Sequence, residues 1–239
     1  MIFEKEYTVG SRDIGKDNKA TNKAMLKYME NIACSHSDSV GQGINEIELT
    51  KAVWILLDWK FQVIERPTYG QTIKVRTWSR KMEKCCAYRD FEIYGQNEKI
   101  LAIATTKWVL LNADTRKIQR ISEEIANKYE SEQEKYVFKD EIEKMHEPEN
   151  EEVSINLKVR RTDIDINNHV NNLNYLDLAY EVLPLEIYNK DIRNVRITYK
   201  HQTEPEEIVN ISYTTQEDKN IITIKTENKA QLHAIVELW

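Results

Sequence analysis

The chain has little of what loosens or cross-links a protein. Six glycines and four prolines among 239 residues leave little room for a long flexible linker of the usual composition. The three cysteines, Cys34, Cys85 and Cys86, are an odd set without metal-ligand spacing. They argue for free thiols in a reducing compartment rather than a disulfide framework. As neighbours on a strand, Cys85 and Cys86 are expected to point to opposite faces. No run approaches the ~20 apolar residues that a membrane-spanning helix needs. The opening Met1-Ile2-Phe3-Glu4-Lys5-Glu6 lacks the apolar core of a signal peptide, so a cytoplasmic location is expected. With 41% hydrophobic and 31% charged residues, the composition is that of a globular chain. Net charge is −6, unevenly spread. From Ile121 to Glu152 acidic residues outnumber basic ones by 12 to 4, so the rest is slightly basic. The balance argues weakly against a nucleic-acid partner, and none is expected.

What is present is a repeated change of period. From Asn18 to Ser39, apolar Ala20, Ala24, Met25, Tyr28, Met29, Ile32 and Ala33 recur at steps of three and four, which predicts a helix buried on one face. Then Leu57, Trp59, Phe61 and Val63 alternate with polar residues, as in a half-buried antiparallel strand. Further strands are predicted at Thr72–Ser79, Ala87–Tyr94 and Ile100–Leu111. After the acidic stretch the order returns. A strand at Val153–Val159 precedes a helix with the stripe Leu173, Leu176, Ala179, Tyr180 and Leu183, and strands follow at Val195–Gln202, Ile208–Thr214, Ile221–Lys225 and Leu232–Leu238. Each half reads strand, helix, then about four strands.

Local identities support a duplication. Asp13-Ile14, Asn18, Asn22 and Leu26 lie 150 positions before Asp163-Ile164, Asn168, Asn172 and Leu176, and Phe61–Pro67 resembles Tyr199–Pro205 at an offset of 138. A helix followed by an antiparallel sheet buries its stripe if the sheet curls around it. That is the hot-dog arrangement, and the fold class expected is α+β with two tandem hot-dog domains. They are expected at residues 1–120 and 153–239, with 121–152 as a charged, solvated linker and helix.

The densest chemical signal is Arg160-Arg161-Thr162-Asp163-Ile164-Asp165-Ile166-Asn167-Asn168-His169-Val170-Asn171-Asn172. It sets a carboxylate, an amide and an imidazole at two-residue steps before the second helix. Helix N-termini carry free N–H groups and a partial positive charge, suited to an oxyanion. Asp and Asn are also ordinary capping and turn residues. From the residues alone, a helix start and a catalytic site both remain open.

The stretch Asp165 to Asn172, followed by Tyr175, resembles the D-x-N-x-H-V-N-N signature of the acyl-acyl-carrier-protein (acyl-ACP) thioesterases of plants and bacteria. Trp54, Glu65-Arg66-Pro67, Thr77-Trp78, Arg89-Asp90, Ala104–Val109 and Asp114-Thr115-Arg116 are similar to that family's N-terminal half. The resemblance covers nearly the whole chain. It implies hydrolysis of fatty acyl-ACP to free fatty acid and holo-ACP, ending fatty acid synthesis, without metal or cofactor. It also implies a catalytic group of Asp165, Asn167 and His169. Asp165 would be base or nucleophile, His169 would orient or share the proton, and Asn167 would hold water or carbonyl.

One departure stands out. Where plant members continue Tyr-Arg-Arg-Glu-Cys, this chain has Tyr199-Lys200-His201-Gln202-Thr203. Gln202 and Thr203 become candidate substrate-binding residues, and a cysteine nucleophile is unsupported. The first half has Gly15, Asp17 and Lys19 at the positions of the triad, so only the second is expected to hydrolyse. The first is expected to shape an acyl pocket, with Met25, Tyr28, Met29 and Trp54 as candidate lining or plain core. Arg76, Arg80, Lys81, Lys84, Arg89, Arg116, Lys117 and Arg120 form a candidate basic rim for an acidic carrier protein. The alternatives carried forward are an acyl-CoA thioesterase and a non-catalytic acyl-binding protein. Acyl chain preference is not legible, and oligomeric state is open, with a homodimer among the compatible states.

Overall fold

The first apolar stripe folds as helix α1 (Asn22–Ser39). It starts four residues later than its periodicity suggests, because residues 13–20 are used by a hairpin-like turn bridged between Ile14 and Ala20. Thr21 caps the helix, its side chain accepting the Ala24 N–H at 3.1 Å, which satisfies a donor that the first turn leaves free. Met25, Leu26, Met29 and Ile32 are fully buried, each contributing about 1.5–3 kcal/mol of transfer free energy. The chain is described over residues 1–239 by a computed structural model, which separates into two units, Met1–Ile142 and Glu143–Trp239.

In the first unit, β1 (Phe3–Thr8), β2 (Ala52–Val63), β3 (Thr72–Glu83), β4 (Cys86–Tyr94) and β5 (Ile100–Asn112) form an antiparallel sheet in the order β1-β3-β4-β5-β2. Helix α1 packs on β1 and β3. A short helix, α2 (Ile47–Thr50), leads into β2. The alternation along β2 breaks where its register with β5 shifts between Leu56 and Asp58. Trp59, Phe61 and Val63 are buried as expected, but the residue buried before them is Leu56 rather than Leu57, as an extra bulge residue requires. Cys85 and Cys86 do not face apart. Cys85 lies in the β3–β4 turn beside Lys84 (φ 54°), and the two Sγ atoms are 3.9 Å apart.

The second unit repeats the plan. Its strands are β6 (Val153–Lys158), β7 (Asn194–Tyr199), β8 (Ile208–Gln216), β9 (Lys219–Thr226) and β10 (Leu232–Leu238), ordered β6-β8-β9-β10-β7. In both units the order is first, third, fourth, fifth, second. Helical structure is shorter here: α4 (Asn174–Glu181) gives way near Pro184 to a separate turn of helix, α5 (Leu185–Tyr188). Helix α4 packs on β9 and β10. The second strands both end just before the loop that meets the turn, β2 at Val63 and β7 at Tyr199. The structural offset there is thus 136, two residues less than the sequence match suggests.

The unit boundary falls within 121–152; most of this acidic stretch is exposed, and a few of its residues pack on each unit. Helix α3 (Glu123–Lys128) lays Ile125 and Ala126 on a cluster of Ala52, Ala87, Leu110 and Ile121. Tyr129 is buried against Trp54 (ring centroids 6.1 Å). Lys135 O accepts the Trp78 indole N–H at 2.9 Å. In the second unit Met145 fills a cluster with Ile221 and Ile235, while Lys225 pairs with Glu147 at 2.8 Å. The reason is that both sheets carry apolar side chains beyond those on the helix. The stretch that covers them turns its charges outward.

A buried polar contact ties the end of α1 to β4. Arg89 donates to His36 Nδ1 (2.8 Å) and to Thr77 Oγ1 (3.2 Å), and its guanidinium lies over the Tyr129 ring at 5.6 Å. Phe3 stacks on the other side of His36, 5.3 Å between centroids. His36 is fully buried. Burial, then the Arg89 charge and the chain N-terminus, hold its pKa down to about 3 from 6.5. The unfolded chain therefore binds a proton here below pH 6.5 that the folded chain refuses until about pH 3. Stability from this site is complete above pH 6.5 and falls as pH drops through that window, by up to about 1.4 kcal/mol per pH unit. Urea midpoints measured from about pH 4 to about pH 7 should fall on the acid side. His36→Gln, whose amide oxygen can still accept from Arg89, should flatten that slope.

Candidate active site

The motif residues occupy a tight turn before α4, built by its own backbone. Asp165 N–H donates to His169 O (2.8 Å), Asn168 N–H to Asp165 O (3.1 Å) and Asn171 N–H to Asp163 O (2.8 Å), with Ile164 bridged to Val170. Asn168 sits at φ 61°, a left-handed conformation that Asn tolerates better than most residues. Below the turn, buried Asp163 accepts from Arg160 N–H (2.9 Å) and from Arg160 Nη2 (2.7 Å). The first unit repeats this frame. Gly15 N–H donates to Lys19 O (2.8 Å), Asn18 N–H to Gly15 O (3.1 Å) and Thr21 N–H to Asp13 O (2.9 Å), with Asn18 at φ 63°. The Gly10 N–H donates to Asp13 Oδ2 (2.9 Å). Burial alone would push Asp13 up, but bonds from Lys27, Tyr28 and that N–H hold it below the usual carboxylate range.

On this frame Asp165, Asn167 and His169 come together. Asp165 Oδ1 accepts from Asn167 N–H (2.8 Å) and His169 N–H (3.4 Å), and Oδ2 from Asn167 Nδ2 (3.4 Å). His169 Nε2 lies 3.3 Å from Glu204 Oε1. Its Nδ1 is buried without a hydrogen-bond partner in the protein. The turn is pinned to the loop after β7. Val170 N–H donates to Thr203 O (3.1 Å), while Tyr175 OH takes the Thr203 N–H (3.1 Å) and meets Thr203 Oγ1 (2.8 Å). The far end of that loop is held by Glu207 Oε1, 2.8 Å from His233 Nε2.

Several expectations change. The triad lies ahead of the second helix, which begins at Asn174. The Leu173 and Asn174 N–H groups there are taken by Asn171 Oδ1 (3.0 Å) and Asn171 O (2.9 Å), so they are not spare oxyanion donors. Gln202 is exposed on the loop. Thr203 is fully buried with its hydroxyl engaged by Tyr175, so it offers substrate no surface and acts as an anchor. Met25 and Met29 are core, Tyr28 donates to Asp13 Oδ2 (2.6 Å), and Trp54 is half-buried. Of the basic rim, Arg89 is buried, Arg76 pairs with Glu4 and Glu98 (3.0 and 3.1 Å), and Lys81 pairs with Glu83 (2.7 Å). Lys84, Arg116, Lys117 and Arg120 remain exposed. Desolvation, with Glu30 and Asp38 nearby, pushes the Cys34 thiol up to about 11, and desolvation with Cys85 beside it raises Cys86. Neither is an activated nucleophile. Sequence reading missed Glu204 and the Glu207–His233 pair. Glu204 stands one residue past the stretch compared with the family, and only the fold brings it to His169.

This arrangement, an acid–amide–imidazole turn in the second of two hot-dog units, defines a class. The family model described as the acyl-ACP thioesterase N-terminal domain matches residues 1–129, and that of the C-terminal domain matches residues 145–237. The chain belongs to the acyl-ACP thioesterase family. It is 24% identical over 233 residues to an oleoyl-acyl carrier protein thioesterase of Arabidopsis thaliana, covering 90% of this chain and 64% of that protein. It is 25% identical over 222 residues to a palmitoyl-acyl carrier protein thioesterase of Cuphea hookeriana, covering 87% and 54%. The chain thus spans less than two thirds of the length of these chloroplastic relatives. Among solved structures, the 12:0-ACP thioesterase from Umbellularia californica superimposes with a TM-score of 0.86 at 22% identity, covering 99% of this chain and 96% of the other. An acyl-ACP thioesterase from Bacteroides thetaiotaomicron gives 0.82 at 20%, covering 99% and 96%. These neighbours share the double hot-dog fold.

The anchor at Thr203 can be tested directly. Tyr175→Phe leaves the buried Thr203 N–H and hydroxyl without their partner, which should cost about 1–3 kcal/mol. Urea unfolding should show that loss, whereas Gln202→Ala, on the exposed face of the same loop, should leave the midpoint within about 0.5 kcal/mol.

Proposed function

We propose that the chain hydrolyses fatty acyl thioesters of acyl carrier protein, releasing free fatty acid and the carrier's thiol. The observation that supports this reading is the turn of Asp165, Asn167 and His169 in the unit matched by the family's C-terminal domain, where the Asp165 carboxylate accepts from the Asn167 amide and from the Asn167 and His169 backbone N–H groups. The equivalent turn of the first unit carries Gly15, Asp17 and Lys19 on the same backbone, so the chemistry is assigned to the second unit alone. The steps balance with water as the only co-substrate. Water oxygen bonds to the carbonyl carbon as its proton passes to the site's base. The tetrahedral intermediate then expels the thiolate, and the proton follows to sulfur. Asn167 orients water or carbonyl through its amide, and Asp165 and His169 handle the proton between them. Exposed Lys84, Arg116, Lys117 and Arg120 support an acidic carrier as partner, and free thiols support a reducing, cytoplasmic location. No helix is long and apolar enough to cross a membrane.

Thiol release assayed across acyl-ACPs and acyl-CoAs of several lengths tests the reading. Asp165→Ala should cut kcat/KM by ~10²–10⁴-fold in protein that remains folded, the range of general acid–base contributions. Activity within about threefold of the unsubstituted protein would remove Asp165 from the catalytic group.

Carrier choice is a separate outcome. Acyl-ACP should be favoured over the matching acyl-CoA at low salt, and raising ionic strength should narrow the gap, because exposed charges act mainly on association. Equal specificity constants at low salt would make the chain an acyl-CoA hydrolase.

A further inference from the structure

His169 has two ring nitrogens in unlike surroundings. Nε2 lies 3.3 Å from Glu204 Oε1, a carboxylate that can only accept a hydrogen bond when ionised. Nδ1 is buried and makes no hydrogen bond within the protein. A proton on Nδ1 would leave a buried donor unsatisfied, whereas a proton on Nε2 has a carboxylate oxygen within 3.3 Å, and an under-satisfied acceptor is the more tolerable defect. Both ends of the ring therefore favour the Nε2–H tautomer. We propose that Glu204 is a positioning residue of this site. It holds His169 as the Nε2–H tautomer and leaves Nδ1 free to take the proton from the attacking water. This rests on the thioesterase reading for its substrate, though not for the tautomer.

Three further observations support it. Glu204 rides on a loop held at both ends, by Thr203 against Tyr175 and by Glu207 against His233, and its own N–H donates to Glu207 Oε2 at 3.0 Å. Its backbone is therefore placed by the fold. Its side chain is 65% exposed against 14% for His169, and an exposed pair of this kind contributes little to stability. In the first unit the equivalent backbone bond runs from Ala20 N–H to Pro67 O, as Val170 N–H bonds Thr203 O. The counterparts of His169 and Glu204 are then Lys19 and Thr68, which are joined by a backbone bridge. The frame forms without an imidazole–carboxylate pair, so folding does not demand one. A base whose orientation is fixed by a third group is a recurrent catalytic arrangement.

The test uses the full chain and two independent readouts. Two-bond ¹H–¹⁵N spectra, with the His169 signals assigned by their loss in His169→Gln, report the tautomer of neutral His169. Steady-state thiol release from an acyl-ACP reports kcat and KM. We expect the Nε2–H form in the unsubstituted protein and a mixture of tautomers in Glu204→Ala. That variant should lose kcat by ~10-fold or more, part of the general-base contribution, with KM within about twofold and an unchanged urea midpoint. Glu204→Gln, whose amide oxygen can still accept from Nε2–H, should recover most of the loss. An Nδ1–H tautomer in the unsubstituted protein would overturn the proposal. So would a kcat in Glu204→Ala within about twofold of the original, or a rise in KM and a loss of stability without any change in tautomer. If no thioester is cleaved by the unsubstituted protein, the thioesterase reading fails, and the spectra still decide whether Glu204 sets the tautomer.

Discussion

The site depends on a buried carboxylate that does no chemistry. Asp163 gathers Arg160 N–H and the Arg160 guanidinium through its side chain, while its carbonyl accepts from Asn171 N–H and Asn174 Nδ2. One residue thereby joins the end of β6, the Asp165–His169 turn and the start of α4. Buried carboxylates are tolerated only when paired and hydrogen-bonded in this way. Asp13 meets the same demand in the first unit with Gly10, Lys27 and Tyr28. Two different sets of partners satisfy the same carboxylate, which identifies the charge at the junction as the shared requirement.

With that frame in place twice, the side chains set on it decide what each unit does. Residues 15, 17 and 19 and residues 165, 167 and 169 lie on matching turns with matching hydrogen bonds, yet one set is Gly, Asp and Lys and the other Asp, Asn and His. Backbone frame and side-chain chemistry are separable here at the level of individual backbone bonds. The first unit keeps a buried polar contact of its own, Arg89 with His36, which joins helix to sheet and faces no reaction.

Both sheets also need cover on faces that the helices do not reach. A hot-dog sheet with apolar residues on two faces exposes one of them unless another segment lies over it. Residues 121–152 supply part of that cover by dividing between the units, Lys135 over Trp78 and Met145 over Ile221 and Ile235, with most of the acidic residues turned outward. Their charge made them read as a solvated linker, because composition reports what a segment exposes and says little about the few residues it buries.

Local information in the chain was enough for the elements, the duplication and the motif. Period changes placed nine of the ten strands and the two main helices, missing only β1 (Phe3–Thr8), since alternation and the three-to-four step each follow from backbone geometry. The spacing of Asp165, Asn167 and His169 was equally local, because a turn is closed by its own neighbours. Tertiary structure alone decided the rest. It placed Leu56 rather than Leu57 inside, through a bulge whose register is set by β5. It buried Thr203 under the Tyr175 hydroxyl, so a residue read as substrate-binding became an anchor. It also brought Glu204 to His169 across two loops held together by the Val170–Thr203 backbone hydrogen bond and by the Tyr175 hydroxyl. Pairings of that kind depend on which strands lie side by side, and no periodicity within either segment encodes them.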